Sequence, residues 1–206
     1  MHPLFSSMVQ EMKWSGDLGA DMASFLTRNG CPETAEHCLR VGREAERLAR
    51  RFGEEAASAR QAGYLHDISA VIVNARRVCL ARELDVPVLA EEEAVPMLLH
   101  QKLSAVLAEQ VFGVQDKAIL SAIGCHTTLK RGAAGLDKVV FIADKIAWDQ
   151  AGEIPCLPQI RAGLTRSLDA GVSAYLAYLW QQRGRLPVVH PWMAAAHEEL
   201  CVPGMV

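Results

Sequence analysis

No stretch of this 206-residue chain reaches the roughly 18 consecutive apolar residues that would span a bilayer. No membrane partner is therefore expected. Cysteine pairs are also missing: the six cysteines stand apart at positions 31, 38, 79, 125, 156 and 201. Without a Cys-x-x-Cys element, neither a zinc knuckle nor a thioredoxin-like centre is indicated. The opening residues, MHPLFSSMVQEMKW, lack the basic start and long apolar run of a secretory leader. The expectation is a cytoplasmic protein whose cysteines are reduced core residues. Charge of one sign is scarce as well, 21 Lys and Arg against 24 Asp and Glu giving −3. With no basic excess and no extended basic stripe, nucleic acid is not an expected partner. An anionic substrate would have to be met by local cations or by a metal.

What the chain does have is apolar bulk, half of all residues, which is ample for a sizeable core. No internal repeat or low-complexity tract is present, and strand signals are weak. The pattern reads as helices over about 17–28, 32–52, 54–66, 76–84, 115–125, 136–151, 159–182 and 192–200, with another between Pro96 and Phe112. Pro32 opens the second of these at a position that tolerates proline, and Gly53 closes it. The long amphipathic stretch 159–182 would suit a homodimer, its Tyr175, Tyr178 and Trp180 reading as core or subunit contact. The fold class expected is all-α, a helical bundle. Its parts are a loose lead-in and short helix over 1–29, a main domain over 30–182, and a C-terminal tail over 183–206 that packs on the same domain.

Six residues stand out: His37, the adjacent His66 and Asp67, His100, His126 and Asp144. His37, Val41, Ala45, Leu48 and Phe52 share one helical stripe, so His37 faces inward. Leu136, Val140 and Asp144 share another, and an unpaired buried carboxylate is costly, so Asp144 needs a cation. Adjacent helical side chains diverge by about 100°, so His66 and Asp67 can converge only at a helix end. Taken singly, each residue has a bland role: a core histidine, a salt-bridge partner, a C-terminal helix cation. Taken together, imidazole nitrogens and carboxylate oxygens in this number suit a divalent metal such as Fe, Mn, Zn, Co or Mg. Asp67, with two oxygens, could bridge two ions.

The order His, His-Asp, Asp resembles the HD-domain metal-dependent phosphohydrolases. The segments HCLRVGREAERLARRFG, AGYLHDIS, LLHQKLSAVLAEQVFG, AIGCHTT and LDKVVFIADKI are similar to the YqeK family within them, over roughly residues 30–180. That resemblance implies an HD-domain helical bundle with a metal site in its core. It further implies symmetrical cleavage of dinucleoside tetraphosphates, such as diadenosine tetraphosphate to two ADP, with iron as the usual metal. On it, His37, His66, Asp67 and Asp144 hold the principal ion. His100 and His126 hold a second ion or contact the substrate phosphates. A bound ion lowers the pKa of its water toward about 7, which supplies a nucleophile at neutral pH. The catalytic set so implied is His66, Asp67, His100 and His126.

Around these residues the chain departs from that family. Thr34 stands where an Arg is usual, Ser69-Ala70 where a Lys is frequent, Gln101-Lys102 where Gly-Pro is common, and Lys145-Ile146-Ala147-Trp148 where Tyr-Ile-Glu-Pro is typical. Loss of a bidentate phosphate-holding Arg is not conservative. Lys102, Lys130, Arg131 and Lys145 are candidates to replace it, with Thr127 and Thr128 supplying hydroxyls, and Trp148 could stack on a base. The substrate-binding set expected is thus His100, His126, Thr127, Thr128, Lys130, Arg131, Lys102 and Lys145. His190 and His197, in the tail, are given no role. Two rival readings remain open: another nucleotide phosphatase or phosphodiesterase on the same scaffold, and a regulatory module that holds a nucleotide without cleaving it.

Overall fold

The computed structural model describes residues 1–147 and 156–202. Among these residues every regular element is helical: twelve α-helices with short 3-10 turns between some of them. In chain order they are α1 (Pro3–Met8), α2 (Leu18–Arg28), α3 (Pro32–Phe52), α4 (Ala56–Leu65), α5 (Asn74–Glu83) and α6 (Ala90–Ala94). Then come α7 (His100–Gln110), α8 (Lys117–Cys125), α9 (Gly135–Ile146), α10 (Leu157–Leu164), α11 (Leu168–Gln181) and α12 (Pro191–Cys201). The all-α expectation is met.

The centre of the bundle is α3. Its apolar stripe buries Val41, Ala45 and Leu48 together with His37, and it packs against α2, α4 and α9. Pro32 starts the helix and Gly53 ends it in the left-handed region at φ 79°, where a side chain would be strained. α4 crosses α3 at very short range because two glycines meet there. A Cβ on Gly63 would lie 2.6 Å from the Cα of Gly42. That close approach brings the end of α4, which carries His66 and Asp67, against His37. α8 packs on α4, α7 and α9, so the helix ends bearing His66, His100 and His126 gather around one point.

Two expectations are corrected. The lead-in over 1–16 is not wholly loose, because His2 caps α1 through its side chain and Phe5 is buried in the core. The long helix over 159–182 is two helices. Ser167 accepts a hydrogen bond from the Ala170 amide at 3.0 Å and so starts α11 afresh. Gly163 and Gly171 let the pair fold back closely, since a Cβ on Gly163 would meet the Ala170 carbonyl oxygen at 2.4 Å. The tail is fastened too. Glu92 of α6, fully buried, pairs with Lys102 of α7 at 2.8 Å and with His190 at 3.3 Å, just ahead of α12. His197, farther along α12, stacks on Trp180.

Gly63→Ala should separate α3 from α4, because the atom it strikes is backbone and cannot rotate away. An overpacked contact of this kind costs about 1–3 kcal/mol. A urea denaturation curve should show the midpoint falling accordingly; an unchanged midpoint would mean the crossing has slack.

Candidate metal centre

Each of the six side chains owes its position to a helix feature. His37 lies one turn into α3 and Asp144 near the end of α9. His100 is the first residue of α7, while His66 and His126 follow directly on the last residues of α4 and α8. Asp67 has already left the helix, at φ −115° and ψ 17°. That departure lets two sequence neighbours turn to one centre.

The rings are aimed by their second nitrogens. His66 Nδ1 lies 2.8 Å from the Gly63 carbonyl, His126 Nδ1 2.8 Å from the Ile123 carbonyl, and His100 Nδ1 2.6 Å from the Met97 carbonyl. Each partner is the residue three positions earlier. For His66 and His126 that carbonyl belongs to the last helical turn, whose carbonyls have no intrahelical donor. Each Nδ1–H therefore donates outward to backbone, and Nε2 faces inward with its lone pair available.

Inside, the donor atoms converge in two groups that share Asp67. In the first, His37 Nε2 is 3.2 Å from His66 Nε2 and 3.1 Å from Asp144 Oδ1, and His66 Nε2 is 3.6 Å from that same oxygen. Asp67 Oδ2 joins them, 3.5 Å from His66 Nε2 and 4.0 Å from His37 Nε2. In the second, His100 Nε2 and His126 Nε2 are 3.0 Å apart and each is 3.4 Å from Asp67 Oδ1. With metal–nitrogen bonds of about 2.1 Å, ligands at right angles stand about 3.0 Å apart. The observed spacings match a coordination sphere. Two Nε2 lone pairs at 3.0 Å also repel unless a cation or proton lies between them. The six residues therefore fit a divalent metal by donor type, spacing and tautomer.

Electrostatics point the same way. Burial would raise the Asp67 pKa, but His66, His126 and His100 outweigh it and hold the carboxyl well below its usual range. Asp144 behaves alike: burial is outweighed by Lys145, His37 and His66. Burial would lower the His66 pKa, yet Asp67 and a hydrogen bond to Asp144 raise it well above the ordinary value. Burial prevails at His126, which is lowered, and at His100, which is pushed down to about 4. The two carboxylates thus favour positive charge in the centre.

The other candidate residues are placed as follows. Lys145 lies beside the centre, its Nζ 2.5 Å from Asp144 Oδ2. Burial would lower its pKa, but Asp144 raises it, so it stays an ammonium. Thr127 Oγ1 is 2.9 Å from His100 Nε2. Thr128 is buried against Gln101. Three cations are engaged in other pairs: Lys102 with Glu92, Lys130 with Ser121 and Asp137, and Arg131 with Glu198. Trp148 lies outside the described residues.

Four supporting residues had no supporting role assigned from the sequence. Gln101 accepts hydrogen bonds from the Thr127 and Thr128 amides at 3.2 and 3.3 Å and fixes that loop. Leu129 then turns the chain at φ 56°, an uncommon conformation for a buried leucine. Buried Arg77 donates to the Ile72 and Met97 carbonyls, bracing the turn that carries His100. Ser69 donates to the His100 carbonyl at 2.8 Å from the segment after Asp67. The sequence signals were the departures from the family pattern at Gln101 and Ser69; Arg77 and Leu129 gave none.

Comparison with known proteins agrees with this arrangement. The HD domain family matches residues 34–149, a span that contains all six side chains. A Lactococcus lactis subsp. cremoris protein named as an uncharacterized protein in the pepC 5' region is 40% identical over 139 residues, 68% of this chain and 70% of that one. The symmetrical bis(5'-nucleosyl)-tetraphosphatase of Bacillus subtilis is 32% identical over 126 residues, 61% of this chain and 66% of that one. The fold matches the crystal structure of a Clostridium acetobutylicum protein described as a predicted HD superfamily hydrolase involved in NAD metabolism. The TM-score is 0.80 at 25% identity, covering 91% of this chain and 97% of that chain. The chain belongs to the HD-domain family and is a hydrolase. Within that family its sequence is similar to the symmetrical tetraphosphatases. No helix among the described residues is long and apolar enough to cross a membrane.

Loading the centre must expel the proton that Asp67 and Asp144 hold on His66. Metal affinity should therefore strengthen as pH rises, since the raised pKa leaves more of His66 protonated at lower pH. Metal titration at about pH 6 and about pH 8 checks this; equal affinities would show that His66 holds no such proton.

Proposed function

We propose that this protein is a metal-dependent hydrolase of phosphoanhydride bonds in small nucleotides. The favoured substrate is diadenosine tetraphosphate, cleaved symmetrically to two ADP. The observation that carries this reading is the sharing of Asp67, one oxygen toward His37, His66 and Asp144, the other toward His100 and His126. A site divided in this way suits two ions, with iron the metal favoured by the sequence resemblance. The similarity to the Bacillus subtilis tetraphosphatase supports the substrate.

A metal bound here supplies Lewis acidity and an activated water at neutral pH. The residues themselves do the rest. His37, His66, Asp67 and Asp144 form one group, and His100 and His126 the second. Asp67 is the most exposed of the six side chains at 26%, followed by Asp144 at 15% and His100 at 13%. Substrate therefore approaches from the side of those three. Lys145, held as an ammonium against Asp144, places a fixed positive charge at that edge, where an anionic phosphate chain is favoured. Hydrolysis forms a bond from water oxygen to one inner phosphorus and breaks the bond from that phosphorus to the central bridging oxygen. That oxygen leaves with the second ADP as a phosphate anion. Such a leaving group needs no strong general acid, which accords with a His100 that is neutral at neutral pH.

Asp67→Ala should abolish turnover and empty the centre, since it removes an oxygen from both groups. Product analysis of wild type on diadenosine tetraphosphate with iron or manganese should give ADP alone. Release of ATP plus AMP, absence of turnover, or a fully active, metal-replete Asp67→Ala would each refute the reading.

A further inference from the structure

Beside the metal centre lies a cleft of about 300 Å³. Three of its lining residues touch two of the six side chains: the Met97 carbonyl accepts from His100, Thr127 bonds His100, and Lys145 pairs with Asp144. The cleft thus adjoins the site where the reaction is proposed to occur. Its remaining walls are mostly apolar. α11 contributes Tyr175 and Leu179, and the tail contributes Leu186, Pro187, Val188 and Met193. The tail segment is held in place by the buried His190–Glu92–Lys102 pairing.

A volume of this size stands at the lower end of small-molecule pockets, which run from about 300 to 1,000 Å³. One nucleoside fits the class; two do not. Most polar side chains in the wall are already engaged within the protein: Thr127 with His100, Thr128 with Gln101, Lys145 with Asp144, and His190 with Glu92 and the Trp192 amide, which leaves the Tyr175 hydroxyl as the wall's remaining polar group. Aliphatic and aromatic side chains dominate the rest, and they complement the faces of a purine, not its hydrogen-bonding edge.

We propose that this cleft, with the C-terminal segment 186–193 as one wall, receives one nucleoside of the substrate, and that filling it once is sufficient for turnover. This rests on the nucleotide-hydrolase reading above and adds its specificity element. The phosphate chain then runs past Thr127 and Lys145 to the metal centre, and the second nucleoside extends outside the cleft. Because the base is held by its faces, adenine and guanine are accepted alike.

The test uses full-length, metal-loaded protein and the variant Val188→Trp, with Met193→Trp as a second variant should the first not fold by circular dichroism. ADP binding is measured by calorimetry, and turnover with diadenosine tetraphosphate, adenosine 5'-tetraphosphate and guanosine 5'-tetraphosphate. In the wild type the KM values of the three should agree within about threefold. In the variant ADP should bind at least about tenfold more weakly, with metal content unchanged. Wild-type ADP affinity in the folded variant would overturn the cleft assignment. A KM for adenosine 5'-tetraphosphate raised more than about tenfold over the dinucleotide would overturn the claim that one nucleoside suffices. Absence of any turnover alongside variant-sensitive ADP binding would instead strike the hydrolase reading and leave the cleft assigned.

Discussion

Three imidazoles of this protein donate their Nδ1 protons to the carbonyl three residues earlier, and the rest of the site follows from that contact. A helix ends with carbonyls that nothing in the helix can satisfy. Here, at two helix ends, the side chain that satisfies one of them is also the one that faces the centre. The hydrogen bond does two tasks at once. It caps the helix, and it fixes the tautomer so that Nε2 presents a lone pair inward. α4 and α8 could end elsewhere along the bundle without loss of helicity, but the centre would then lose its aim.

Aim alone does not make a site; the helix ends must also meet. The glycine contact between α3 and α4 sets the distance from His37 to His66, and the packing of α8 on α4 and α9 brings His126 and Asp144 into range. The result gathers two carboxylates and four imidazoles in a largely buried space. Such a cluster is costly unless a cation balances it. A divalent ion bound to the folded chain and not to the unfolded one therefore stabilises the bundle as it completes the site.

Much of this was legible in the sequence, for stated reasons. The stripe of His37, Val41, Ala45 and Leu48 fixed the inward face of α3, and the argument that His66 and Asp67 need a helix end is matched by the backbone at Asp67. The convergence of all six side chains could be expected because their types share one chemistry. What escaped notice depended on partners distant in sequence. Lys102, Lys130 and Arg131 stand in the sequence as candidate phosphate-binding cations, and the pairing of each with Glu92, Asp137 and Glu198 is not visible there. No local pattern announces a pair separated by 67 residues, as Arg131 and Glu198 are. The tail could be read as a last helix packing on the same domain but not as the wall of a cleft, which arises from tertiary packing. The break between α10 and α11 was missed since apolar periodicity runs through it; Ser167 and the two glycines were the available signals.

The central claim, that the inward Nε2 atoms and the two carboxylates bind metal, is tested most directly by anomalous diffraction from crystals grown with iron or manganese. The account predicts anomalous density within about 2.0–2.3 Å of Nε2 of His66 and of an Asp67 oxygen, with each Nδ1 still on its carbonyl. Anomalous density bound through Nδ1, or located away from the six side chains, would contradict it.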